Sequence, residues 1–371
     1  MKRILAYVRK QPVSVLLLAA PVAILAEVFH WGEILVFAFS AIAVIPLAGY
    51  IGEATEALAV YTGPRLGGLL NATLGNAAEL IITIVAIREG LLELVKASIT
   101  GSILGNVLMV LGMSMLLGGL RNGTQRFSQR QAGNNAILLV LAVVALVIPS
   151  TLSGSIGPES STRVEALSLG VAGTMIVLYG LGILYSFRVQ PSPLTSHAGM
   201  DGELTSDAGS DGGEKHSAWP LRTALIVLAA STVGVAYLSE LLVGAVEPVV
   251  VRLGVSEFFL GIILIPIVGN VAEHLVAVKV AIQNQMDLSV EIAIASSLQI
   301  ALFVAPVLVF VSLLMGNPLQ LIFNQFELLA LIIGVLITAL VSADGESNWL
   351  EGAELLAVYI ILGLAFFLLP V

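Results

Sequence analysis

Glu79 and Glu273 close two copies of one short motif, Gly75-Asn76-Ala77-Ala78-Glu79 and Gly269-Asn270-Val271-Ala272-Glu273. In each copy an asparagine precedes the glutamate by three residues, which sets amide and carboxylate on one face of a helix. Both motifs lie inside long apolar stretches, where a charged side chain costs about 2.5–3.5 kcal/mol even on permissive insertion scales. Arg88 and Lys279 lie two turns or so beyond the acids, so neither carboxylate has an obvious basic partner on its own helix. A divalent cation is the compensation that this chemistry suggests. Two carboxylates, amide oxygens and freed backbone carbonyls are hard oxygen ligands suited to Ca²⁺. When the cation leaves, two like charges held together take up protons as a pair. The pair is formally neutral with one Ca²⁺ or with two protons and charged when empty, so the residues point to exchange of a divalent cation for protons.

Further polar residues follow each motif. Ser102, with Gly101, Gly105 and Asn106, aligns with the stretch that carries Ser296, Ser297 and Gln299. Small and hydroxylic residues also allow close helix approach; the mutual alignment singles out Ser102, Ser296 and Gln299 as candidate ligands. Gly75 and Gly269, with Pro266, are places where the helices can unwind to free carbonyls. His274 follows Glu273 directly and suits either a proton relay or a hydrogen-bonded core position. Glu53 and Glu56 fall toward one end of their stretch, and Glu240 and Glu247 toward the opposite end of another. They read as vestibule acids that collect cations or hand on protons, or as solvated helix ends.

These residues need elements to hold them at mid-membrane. Of the 371 residues 58% are hydrophobic and 11% charged, with a mean hydropathy of +1.01, far from the composition of a soluble domain. Apolar runs at about 13–31, 33–61, 66–87, 97–119, 133–150, 164–187, 220–245, 257–280, 288–315, 326–342 and 350–370 predict eleven transmembrane helices. They are too long and too evenly apolar for the strands of an outer-membrane barrel. With the N-terminus in the cytoplasm and the C-terminus outside, twelve of the sixteen Lys and Arg fall on the inner side, leaving Arg88, Lys96, Arg163 and Arg252 outside. The first span with its Lys2-Arg3 and Arg9-Lys10 flank also suits a cleaved signal peptide, although its apolar stretch is longer than usual.

The motif match extends without a gap. Between residues 65–104 and 259–298 ten of forty positions are identical, among them Gly67/Gly261, Gly75/Gly269, Asn76/Asn270, Glu79/Glu273 and Ser102/Ser296. This predicts a first helix over 1–32, a repeat of five spans over 33–188, a linker over 189–218 and a second five-span repeat over 219–371. An odd number of spans per repeat inverts the two halves, and inverted repeats place substrate near the bilayer centre. At 1.5 Å per residue, Glu79 lies roughly 21 Å from Arg65 and Glu273 roughly 24 Å from Glu257, both near mid-depth. The linker is rich in Pro, Gly, Ser and acids and reads as a cytoplasmic tether or a calcium-sensing element, without an EF-hand pattern. Asp344-Gly345-Glu346-Ser347-Asn348 reads as a cation-binding loop or as a turn before a capped helix.

Together the motifs Gly75–Glu79, Pro266–His274 and Ser296–Phe303 resemble the paired signature repeats of the calcium/proton antiporters, within the cation/calcium exchanger superfamily. The resemblance runs along nearly the whole chain. It implies an all-α fold of eleven helices, a separate first helix plus two inverted five-helix halves. It also implies that Glu79 and Glu273 bind Ca²⁺ and protons alternately, assisted by Asn76, Asn270, Ser102, Ser296 and Gln299. Glu53 stands where the family pattern leads us to expect a neutral or aromatic residue.

The expected activity is secondary antiport of Ca²⁺ for H⁺ by alternating access. The alternatives are a Na⁺/Ca²⁺ exchanger or a broader divalent cation (Mn²⁺)/H⁺ exchanger of the same superfamily. Protons are favoured over Na⁺ because the spans after each motif carry Ser and Gln but no mid-helix carboxylate. A channel fits two acids at one buried site less well than alternating access does, and no enzymatic constellation is evident. No cofactor is expected, with Ca²⁺, protons and lipid as partners and no nucleic acid, given the net charge of −9. A homo-oligomer is left open. The short N-terminus suggests a prokaryotic plasma membrane, with a vacuolar or other organelle membrane as the alternative.

Overall fold

Residues 12–158, 161–189 and 219–369 are described by the computed structural model. Helices make up most of them, and eight are long and apolar enough to cross a membrane. In chain order the helices are α1 (Val13–Val28), α2 (Glu33–Leu74), α3 (Ala77–Arg88) and α4 (Leu92–Asn122). They continue with α5 (Gln129–Ile156), α6 (Thr162–Val189), α7 (Leu221–Leu253) and α8 (Glu257–Ile282). The last are α9 (Met286–Met315), α10 (Gln325–Val341) and α11 (Trp349–Phe367).

Several boundaries differ from those expected, and each has a local cause. The gap expected between the second and third spans shrinks to Gly63, whose non-helical φ of +78° separates two helical segments within α2; glycine reaches that conformation without the steric cost of a Cβ. The third span is not continuous, because the helix stops at Leu74 and restarts at Ala77. The fourth begins at Leu92 rather than near residue 97. Lys96 is thereby taken into α4, paired with Glu93 one turn earlier. The linker over 189–218 lies almost wholly outside the described residues.

The chain divides into two compact units. The first comprises the described residues of Met1–Val85, Thr195–Gly254 and Val268–Ala272. Here α2 lies along α7: a Cβ on Gly234 would come within 2.9 Å of Leu47, and Ala57, Leu58 and Ala224 share an apolar cluster. The Tyr61 hydroxyl donates to the Trp219 carbonyl at 2.9 Å.

In the second unit, built from Ala86–Leu194, Val255–Ile267 and Glu273–Val371, α4 is the buried centre. Every residue from Leu94 to Val107 except Lys96 is buried, the polar Ser98, Thr100, Ser102 and Asn106 included. Two close approaches fix its neighbours. A Cβ on Gly101 would lie 2.0 Å from the Ile262 carbonyl oxygen of α8, and one on Gly352 of α11 would lie 2.2 Å from the Leu116 nitrogen. Three π-helical turns interrupt the ladder, at Gly105–Val110 in α4, Leu260–Leu264 in α8 and Ile300–Val304 in α9. A two-residue antiparallel pairing, Gln125–Arg126 with Glu346–Ser347, ties the end of α4 to the turn before α11. Large apolar side chains elsewhere face outward, Leu314 being 87% exposed; lipid is the solvent that suits them.

Candidate functional site

Glu79 stands in the first turn of α3, immediately after the interruption at Gly75-Asn76. An acid there faces the positive end of the helix. Its side chain is fully buried, at 0% exposure, and within the first unit Oε2 accepts a hydrogen bond from Asn270 Nδ2 at 3.3 Å. Gly269 packs beside it: a Cβ at that position would meet the Glu79 Cβ at 3.4 Å, an ordinary contact distance. The unwinding expected at Gly269 does not occur, since α8 runs unbroken from Ile265 to Ile282 and its irregular turn, Leu260–Leu264, comes just before Pro266. Gly75 does sit at a helix interruption, beside buried Asn76.

Glu273 is held within the second unit. Its Oε2 accepts from the Ser296 hydroxyl of α9 at 3.0 Å. The Ser296 Oγ in turn accepts from Asn106 Nδ2 of α4 at 3.0 Å, and Asn106 Oδ1 faces His274 Nε2 at 3.1 Å. Ser102, Ser296 and Gln299 are all buried. Gln299 immediately precedes the π-turn of α9 and Ser102 lies three residues before that of α4, and π-bulges are frequent at functional positions. Among the described residues no three His, Cys, Asp or Glu side chains gather to hold a metal ion.

The four vestibule candidates are less enclosed. Glu53 is half-buried and Glu56 exposed on α2, while Glu240 and Glu247 are exposed on α7; Glu247 lines an open groove with Glu33 and Arg252. His274 is buried and hydrogen-bonded, in keeping with its core reading. The 344–348 segment takes its turn-and-cap form. Gly345 has a φ of +76°, and Asn348 caps α11 in a reciprocal box with Glu351. Asn106 was named in the sequence only as a neighbour of Ser102. Its place one turn beyond Ser102 is the signal that pointed to it, but the repeat alignment sets it against Ile300 and so passes it over.

A helical membrane protein with an interrupted helix beside a buried carboxylate has the design of a secondary transporter. The profile described as "Sodium/calcium exchanger protein" matches residues 32–188 and 223–368, and the chain belongs to that family. It is 47% identical over 365 residues to the Ca(2+)/H(+) antiporter of Aphanothece halophytica, covering 96% of each chain. Identity to the Ca(2+)/H(+) antiporter ChaA of Bacillus subtilis (strain 168) is 44% over 350 residues, covering 94% of this chain and 96% of the relative. The solved structure of native YfkE superposes with a TM-score of 0.80 at 41% identity, covering 96% of this chain and all of that one.

Proposed function

We infer that the protein is a secondary active antiporter that exchanges Ca²⁺ for H⁺ across a membrane, and not an enzyme. The carrying observation is its likeness, along nearly the whole chain, to relatives named Ca(2+)/H(+) antiporter. Glu79 and Glu273 take up Ca²⁺ and protons alternately. Asn76, Asn270, Ser102, Ser296 and Gln299 supply the remaining oxygens, and His274 adjoins the proton step. Supporting this reading, each glutamate has a polar donor already aimed at it, Asn270 for Glu79 and Ser296 for Glu273. A bare carboxylate in an apolar setting is costly, so donors already in place ease the charged form as a proton leaves and the cation arrives.

The finer architecture belongs to the same proposal: eleven spans, a first helix followed by two inverted five-helix repeats, with the N-terminus cytoplasmic and the C-terminus outside. Two shorter apolar helices, Val13–Val28 and Gln325–Val341, and the interrupted stretch through α3 supply the spans beyond the eight long ones. Glu53, Glu56, Glu240 and Glu247 gather cations at the two entrances. A bacterial plasma membrane is the setting favoured by the bacterial relatives. The test is Glu79→Gln and Glu273→Gln in reconstituted vesicles: each abolishes calcium uptake while the protein stays monodisperse. Wild-type uptake in either variant removes that glutamate from the site.

A further inference from the structure

The two motif glutamates are counterparts in the repeat, but what lies behind them is not. Next to Glu273 comes His274, where the first copy has Leu80; Asn106 on α4 corresponds to Ile300 on α9. His274 and Asn106 touch each other, whereas Leu80 and Ile300 have no polar side-chain atom between them. A contacting polar pair in one copy thus answers to two apolar residues in the other.

We propose that Asn106, anchored by His274, is a positioning residue that holds the Ser296 hydroxyl as a donor to Glu273. The inference rests on the reading of Glu273 as an ion-binding carboxylate. An asparagine amide accepts at one end and donates at the other. The histidine ring fixes the accepting end at 3.1 Å, so the donating end must face Ser296, at 3.0 Å. Having accepted there, the serine directs its single proton to Glu273 Oε2, also at 3.0 Å, and keeps one lone pair for a cation. All three supporting side chains are at least nine-tenths buried, where hydrogen bonds in series polarise one another and water does not compete. Asn106 is the second residue of the π-turn Gly105–Val110; the extra residue of such a turn shifts the side chains around the helix and aims this one between α8 and α9. Without Asn106 the hydroxyl is free to turn to the carbonyl one turn back in its own helix, as helical serines do, and Glu273 loses its donor.

The experiment is calcium uptake into proteoliposomes under a fixed pH gradient, at graded Ca²⁺, for wild type, Asn106→Leu, His274→Leu, the double variant, His274→Gln and Glu273→Gln. Asn106→Leu and His274→Leu should each raise the half-saturating Ca²⁺ concentration about tenfold, the scale of one hydrogen bond to a charged group, with the maximal rate of Asn106→Leu within twofold. The double variant should be no worse than either single one, because both act through one hydroxyl. His274→Gln, which keeps a donor for Asn106, should shift it by threefold at most. Asn106→Ala carries the same expectation as the leucine variant and stands in for it if that variant does not fold. An unchanged half-saturating concentration in the Asn106 variants, or multiplied effects in the double variant, overturns the proposal. Wild-type transport by Glu273→Gln overturns the reading of Glu273 on which it rests, while an inactive Glu273→Gln beside normal Asn106 variants sinks the positioning role alone.

Discussion

Asn270 and Ser296 perform the same service for different carboxylates, one through an amide N–H and the other through a hydroxyl. Their removal should therefore weaken calcium binding without erasing transport. For Asn270→Ala the expected outcome is a half-saturating Ca²⁺ concentration raised about tenfold, the scale of a hydrogen bond to an ionised group, read from uptake at graded calcium. An unaltered concentration would mean that the contact to Glu79 has no part in binding. The glutamates, asparagines and serines that we propose for the site stand out in the sequence because Gly, Asn, Glu and Ser contrast with a background of Leu, Ile and Val and because they recur. Asn106 was not legible in the same way. Its role depends on how α4, α8 and α9 pack, and the repeat that exposes the other residues gives it an isoleucine for a counterpart.

At the scale of the element, helix existence followed from apolar length, but helix irregularity did not. The π-turns, the Gly63 break and the restart at Ala77 are backbone events set by neighbours in space. The glycines mark where backbones meet. Gly101→Ala would drive a Cβ to 2.0 Å from a main-chain oxygen on α8, an overlap that no side-chain rotation relieves. We expect a loss of about 1–3 kcal/mol from such overpacking, seen as earlier thermal unfolding in detergent; unchanged unfolding would show that α8 is free to shift aside. The cap at α10 offers a milder case. Asn324 accepts from the backbone N–H groups of Phe326 and Glu327, so Asn324→Ala should cost about 1 kcal/mol with calcium affinity unchanged. A changed affinity would tie that helix end to the ion site.

For the whole molecule, the composition already required a membrane, and the repeat already placed two acids in equivalent positions. What the sequence left open was the pattern of support behind each acid. Glu79 and Glu273 accept from Asn270 and Ser296, both far from the acidic linker in the sequence, and we propose that the linker is a tether. Deleting Pro193–Gly213 should accordingly leave transport capacity in place and alter at most its calcium dependence; complete loss in a well-folded deletion variant would make the linker part of the transport machinery. The central claim, that protons drive calcium, is tested most directly by Ca²⁺ uptake into proteoliposomes under an imposed pH gradient, with and without a protonophore, beside an equal Na⁺ gradient. The account predicts uptake that follows the pH gradient, collapses with the protonophore and ignores sodium. Uptake driven by the sodium gradient alone would contradict it.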